Sequence, residues 1–183
     1  MSETNHYNKV AIFLHWMIAL LIIGQLIGGK FMENFASDAL RSEMIGWHKS
    51  FGITVLILSL ARLLWRFTYK APILPTAMKA WEKLVSKLAH IALYVLMIGI
   101  PVSGWVMSSA VPWPIKYFYL IEWPKLPVSK TNETVELWSG RHELLAHMMI
   151  VLLLLHIGAA LKHHFFDKDN VLTHMLPFLK VRQ

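Results

Sequence analysis

The amino-acid sequence predicts an all-α membrane protein, a four-helix transmembrane bundle. Of its 183 residues, 56% are hydrophobic and only 16% are charged, whereas soluble domains are about 25% charged. Residues 10–29, 88–115 and 144–161 contain no Asp, Glu, Lys or Arg. Each of these stretches is long enough to cross a bilayer core of roughly 30 Å as a helix, since that takes about 20 residues.

Taken in order, the apolar segments predict spans at about residues 10–29, 44–67, 88–111 and 139–161, within a single domain covering residues 1–183. The first segment is longer than the h-region of a signal peptide, about 7–15 residues, so we expect it to be a retained helix. Residues 112–138 combine tryptophans and tyrosines with prolines. This composition is typical of a loop at the level of the lipid headgroups.

Three lysines precede the third span at intervals of four residues, Lys79, Lys83 and Lys87. This spacing places them on one face and predicts a short interfacial helix. The basic face suits either anionic lipid headgroups or the steering of a small anion. The lipid bilayer is the favoured partner.

The cysteine count and the charge exclude several classes of function. The chain has no cysteine, which excludes disulfides, iron–sulfur clusters and covalently attached haem. Its net charge of +7 lies in short segments next to the spans, so we expect no nucleic acid partner. Eleven of the 18 lysines and arginines fall on the side that holds both termini. The positive-inside rule therefore predicts cytoplasmic termini.

Histidines within the spans are the candidate functional residues, because an ionisable residue in a membrane is costly and usually functional. His142 and His156 are 14 residues apart, which places them within roughly 40° on one helix face and about 21 Å apart along its axis. His48 lies at the predicted depth of His142, and His15 at that of His156. We therefore predict two b-type haems, ligated by His48 with His142 and by His15 with His156. The alternative is that these histidines only hydrogen-bond neighbouring helices.

The remaining histidines have weaker cases. His163 follows His156 by seven residues on the same face and is its rival as a ligand, although it lies nearer the interface. His147 is about 140° around the helix from His142. His90 begins the third span and either bonds a haem propionate, shuttles a proton or is an ordinary interfacial residue. Three more are predicted to be solvated tail residues: His6, His164 and His174.

Arg62 is a further candidate in the haem region. It follows His48 by 14 residues, so it faces the same seam one level down, near the inner haem. There its guanidinium can pair with a propionate in a bidentate manner. The alternative is an arginine at the helix end that reaches for the interface.

Several sequence segments resemble a known family. They are LHW at 14–16, IGWHKSFGI around His48, ARLLWR at 61–66, AHIALYVLMIGIPVSG at 89–104, RHELLAH at 141–147, HIGAALKHH at 156–164 and KDNVLTHMLP at 168–177. The chain resembles the bacterial four-helix, di-haem cytochrome b561 family, which is related to the b-type subunits of formate dehydrogenase and nickel–iron hydrogenase. The resemblance covers nearly the whole chain.

The resemblance implies that the family's four haem-ligand positions fall on His15, His48, His142 and His156. It also implies a bacterial inner-membrane protein that exchanges electrons with ubiquinone or another membrane quinone. Some relatives oxidise superoxide and pass the electron to ubiquinone, so superoxide:quinone oxidoreductase activity is a candidate here. Two alternatives stay open. In the first, the chain is a membrane-anchor subunit that needs a redox partner protein, either a dehydrogenase or a hydrogenase. In the second, it is a transporter or proton pathway without haem.

Overall fold

Four long helices form the protein in the computed structural model, which describes residues 7–32, 37–69, 72 and 78–179. The helices are α1 (Lys9–Phe31), α2 (Asp38–Thr68), α3 (Ala80–Ala110) and α4 (Asn132–Lys162), and a π-helix, His163–Asp167, extends α4. All four are long and apolar enough to cross a membrane. The predicted fold class, an all-α membrane protein with four transmembrane helices, is confirmed.

Capping side chains set where three of the helices begin. Asn8, Ser37 and Thr131 each accept a hydrogen bond from the backbone N–H three residues later, which satisfies one of the free amides at a helix start. As a result α2 and α4 begin six and seven residues before the predicted starts of their spans, residues 44 and 139. The additional turns contain charged residues, and for this reason hydropathy alone did not include them.

The prediction of a separate interfacial helix before the third span is wrong. Helix α3 runs without a break from Ala80 to Ala110, with Lys83 and Lys87 in its first turns. Lys79 directly precedes it, and the Glu82 carboxylate accepts the Lys79 backbone N–H at 3.1 Å. Charge interrupts the apolar run at this point but does not interrupt the backbone hydrogen bonding of the helix.

The helices pack in chain order, α1 on α2, α2 on α3 and α3 on α4. Within the described residues, neither α1 nor α2 packs closely on α4. Small polar side chains are buried inside the protein, since Ser50, Ser59 and Ser109 are fully buried, while Leu20 and Leu154 on the outer surface are each 66% exposed. Small residues at contacts and large apolar residues outside are the pattern of helices packed in lipid.

A short antiparallel hairpin lies within the segment predicted to be a loop. Strands β1 (Ile115–Tyr117) and β2 (Ile121–Trp123) pair over three residues, and Phe118 and Tyr119 in the turn have φ values of 48° and 61°. Glycine or asparagine normally occupies such turn positions, so the sequence did not indicate a hairpin. The hairpin docks on α2, where the Phe118 N–H donates to Ser50 Oγ at 2.9 Å. We call this end of the bundle the hairpin side and the opposite end the termini side.

Candidate functional site

The structure places the two members of each predicted histidine pair side by side. On the hairpin side, the ring centres of His48 in α2 and His142 in α4 are 6.1 Å apart. On the termini side, those of His15 in α1 and His156 in α4 are 6.3 Å apart. Helix α4 therefore supplies one imidazole at each level, and its partner comes from α2 at one level and from α1 at the other.

These ring separations suit a metal atom shared within each pair. Since a metal–nitrogen bond is about 2.0 Å long, two imidazoles that share one metal atom would have ring centres about 6 Å apart. We call His48 and His142 the hairpin pair, and His15 and His156 the termini pair. Their ring separations, 6.1 Å and 6.3 Å, both match this value. Both pairs also bridge helices that do not pack closely on each other. The residues present therefore fit a haem between the helices at each level.

Hydrogen bonds orient the His142 ring. Its Nδ1 lies 3.0 Å from the Ile100 carbonyl oxygen and 3.0 Å from Ser103 Oγ. Since a carbonyl oxygen only accepts, Nδ1 carries the proton, and the Nε2 lone pair is available to a metal. This is the usual outer support of a metal-binding histidine. Sequence reasoning missed Ser103, because nothing local in α3 indicates which α4 residue it faces.

Packing rather than hydrogen bonding orients the His48 ring. Its Nδ1 is buried and has no partner among the residues that the structure describes. A methyl group at Gly29 of α1 would lie 3.5 Å from His48 Cε1, so the backbone of α1 approaches the ring edge. The two members of the hairpin pair are thus held by different means.

A cavity of about 400 Å³ lies next to the hairpin pair. Helices α1, α2, α3 and α4 all contribute to its walls, and His48 and His142 both line it. The remaining lining is mainly apolar, as is usual for cofactor sites. Gly104 of α3 faces the same region, since a Cβ there would lie 3.2 Å from His142 Cε1.

His90 and Arg62 lie near the termini pair. The ring centre of His90 is 5.6 Å from that of His156, and its Nδ1 lies 2.7 Å from the Ser86 carbonyl oxygen. His90 is therefore closer to His156 than His15 is, which the sequence did not reveal. The Arg62 Nη1–H donates to the Ala11 carbonyl oxygen at 2.7 Å, so one of its donors is used within the protein.

The rival ligand His163 is engaged elsewhere. Its Nδ1 lies 2.9 Å from Asp167 Oδ2 and 2.7 Å from Asp169 Oδ2, and Lys162 Nζ lies 2.7 Å from Asp167 Oδ2. This ion-pair group closes the end of α4 where Lys168 turns the chain with φ 54°. Its acidic partners are close in sequence to His163, and they hold the ring at the end of α4.

The prediction that the tail histidines are solvated is wrong for His174. His164 is only partly exposed. His174 is only 7% exposed, because the C-terminal segment folds back against the start of α1, where the Tyr7 N–H donates to the His174 carbonyl oxygen. The Nδ1 of His164 is buried. His6 lies outside the described residues.

The comparisons with known proteins identify the family of the chain. A family model described as prokaryotic cytochrome b561 matches residues 6–178. The chain belongs to the prokaryotic cytochrome b561 family. It is 31% identical to cytochrome b561 homolog 2 of Escherichia coli (strain K12) over 96% of this chain and 95% of that protein. It is 30% identical to the probable superoxide oxidase CybB of Yersinia pestis over 93% of this chain and 96% of that protein.

Membership makes this cytochrome b561 chain a multi-pass bacterial membrane protein and a b-type cytochrome of electron transport. The family implies b-type haem as the cofactor and the lipid bilayer as the environment. Among the described residues, the His48–His142 and His15–His156 pairs have ring separations of 6.1 Å and 6.3 Å, which leave room for that cofactor.

Proposed function

We propose that this cytochrome b561 binds two b-type haems, one between His48 and His142 and one between His15 and His156, and exchanges electrons with the membrane quinone pool. The observation that supports this is the pair of ring separations, 6.1 Å and 6.3 Å, at two levels of the same helix. His90, whose ring centre is 5.6 Å from that of His156, is the alternative partner of His156 at the second haem.

Haem, when bound, supplies one-electron oxidation and reduction at its iron. Two histidines holding one haem would leave no ligand position open, which would favour electron transfer over reaction at the iron. The hydrogen bond between His142 Nδ1–H and the Ile100 carbonyl oxygen would leave Nε2 available to hold the iron. The surrounding apolar helices exclude water. Arg62 places a positive charge near the termini pair, where it would pair with a propionate and stabilise the reduced state.

We also propose that the protein lies in the inner membrane with both termini in the cytoplasm. The distribution of lysine and arginine, eleven on the termini side against seven on the hairpin side, supports this orientation. Because the chain has no cysteine, a single Ser129→Cys substitution in the hairpin-side segment provides a unique label. An impermeant maleimide should label it in intact spheroplasts, and labelling only after lysis would reverse the orientation.

The experiment for the haem sites is a count combined with single substitutions. A pyridine haemochrome assay should give two haems per chain, and His48→Ala and His15→Ala should each remove one haem with a different spectral component. His163→Ala, in the π-helix that extends α4, is the matched control and should retain both haems. Loss of the same component in both alanine variants would overturn the pairing. If His90→Ala removes a haem that His15→Ala spares, His90 rather than His15 is the partner of His156 on the termini side.

A second candidate activity is the oxidation of superoxide with quinone as the acceptor. The similarity to the probable superoxide oxidase CybB of Yersinia pestis favours it. Two superoxide anions would each give one electron and become O₂, and one quinone would take up both electrons and two protons to form quinol. Superoxide generated in the presence of quinone should reduce the haems. Reduction that persists unchanged with added superoxide dismutase would exclude superoxide as the donor.

A further inference from the structure

A groove of about 300 Å³ lies between α1 and α2 on the hairpin side, separate from the cavity between the histidines. Its walls are almost entirely apolar, with Leu21 from α1 and Phe51 from α2 among the lining side chains. Gly24 and Gly28 also line it, and a methyl group at either glycine would meet no atom within 4 Å. Because both helices are membrane-spanning, the groove opens sideways into the lipid rather than into water.

The inner wall of the groove separates it from the larger cavity. His48 and Gln25 line both spaces. The Gln25 Nε2–H donates to the His48 carbonyl oxygen at 2.7 Å, which leaves the Gln25 Oε1 atom as an acceptor with no partner among the described residues. A polar side chain within an apolar span is costly and by default indicates a functional site.

We propose that this groove binds a membrane quinol, with its ring against Gln25 and His48 and its isoprenoid chain along Gly24 and Gly28. The proposal rests on the quinone exchange proposed above and specifies where it takes place. A quinol is apolar along its chain and carries hydroxyl donors on its ring, so it satisfies the Gln25 acceptor. A phospholipid acyl chain matches the apolar walls equally well but offers no donor to the amide. Binding here also places the ring next to His48, a proposed haem ligand.

Filling the groove tests the proposal on the full-length, haem-loaded protein. Gly24→Leu and Gly28→Leu place side chains into open space, so helix packing should be retained. Gly158→Leu in α4 is the matched control, because that glycine is exposed and a methyl there also meets no atom. The two groove variants should keep wild-type haem content and dithionite spectra. Their rate of haem reduction by decylubiquinol should fall at least tenfold, with no change in Gly158→Leu.

Direct labelling provides a readout that does not depend on electron transfer. A photoreactive azido-quinone should label peptides covering residues 20–28 and 44–51 in the wild-type protein, and Gly28→Leu should abolish that label. This measurement also decides the question if a leucine variant loses haem. Labelling confined to other helices would overturn the groove.

The outcomes separate this site from the function on which it rests. Wild-type reduction by quinol together with unchanged reduction in both groove variants refutes the groove and leaves quinone exchange standing. A wild-type protein with two haems that neither reacts with quinol nor binds the azido-quinone refutes quinone exchange itself. If excess phospholipid prevents the labelling and decylubiquinol does not, the occupant of the groove is a lipid chain and the proposal is refuted.

Discussion

Replacing Gly104 by valine should displace His142 and remove one haem from the protein. A Cβ at residue 104 would lie 3.2 Å from His142 Cε1 and 3.3 Å from His142 Nδ1, whereas carbon atoms pack best at about 3.5–4.0 Å. The imidazole must therefore shift by a few tenths of an ångström even for alanine. The two further methyl groups of valine require a larger shift, and overpacking of this kind costs about 1–3 kcal/mol.

The direction of the shift determines the effect on the ligand. Ile100 lies in α3 with Gly104, so a ring that moves away from Gly104 also lengthens the 3.0 Å bond between His142 Nδ1 and the Ile100 carbonyl oxygen. Loss of such an outer hydrogen bond typically lowers metal affinity by about 10–100-fold. We expect Gly104→Ala to weaken haem retention during detergent washing and Gly104→Val to lose the haem that His48→Ala also loses. The haem between His15 and His156 should remain.

The assay is haem content per chain with dithionite-minus-oxidised spectra of the purified variants. Gly99→Val is the control within the same helix, because a Cβ at Gly99 would lie 3.9 Å from Leu145 Cδ1, an ordinary contact. That variant should keep two haems. The reasoning is refuted if Gly104→Val retains both haems at wild-type stoichiometry, or if the component it loses is the one lost in His15→Ala.

Two further predictions concern a charge and a buried hydroxyl. Arg62→Gln should lower the midpoint potential of one haem by several tens of millivolts, since it removes a positive charge near the termini pair. Two unit charges about 10 Å apart at an effective dielectric constant of about 20 interact by roughly 1–2 kcal/mol. Redox titration measures the potential, and Arg66→Gln, which changes an exposed arginine one turn later, is the control. An equal shift in both variants would contradict the prediction. Ser50→Ala should lower the thermal midpoint by removing the acceptor of the Phe118 N–H, at a cost of about 1–3 kcal/mol. Ser59→Ala is the control and should be nearly neutral, because that fully buried hydroxyl has no partner among the described residues. Equal destabilisation by Ser50→Ala and Ser59→Ala would disprove the role of the hairpin contact.

Some features of the site could be predicted from the sequence because they depend on one helix at a time. The 14-residue interval between His142 and His156 defines a shared face and a rise along α4 wherever the helix lies in the bundle. Matching the depths of His48 and His15 to these positions needed only the approximate ends of the spans. An error of six or seven residues at a helix start, as in α2 and α4, left that match intact.

Other features required the tertiary structure, because they join residues that are distant in the chain. The proximity of His90 to His156 depends on how α3 sits against α4, and the burial of His174 depends on the tail folding back onto α1. The hairpin lacks glycine in its turn and is held by Ser50 of α2.

The amino-acid sequence alone determined that the chain crosses the membrane as four helices and offers imidazoles at two levels, since hydrophobicity and helical period act locally. The tertiary structure decided which helices stand apart, which carbonyl oxygen orients His142 and where a groove reaches His48 from the lipid. These features follow from packing between helices, which no local pattern encodes, because the same apolar surface can meet either lipid or another helix.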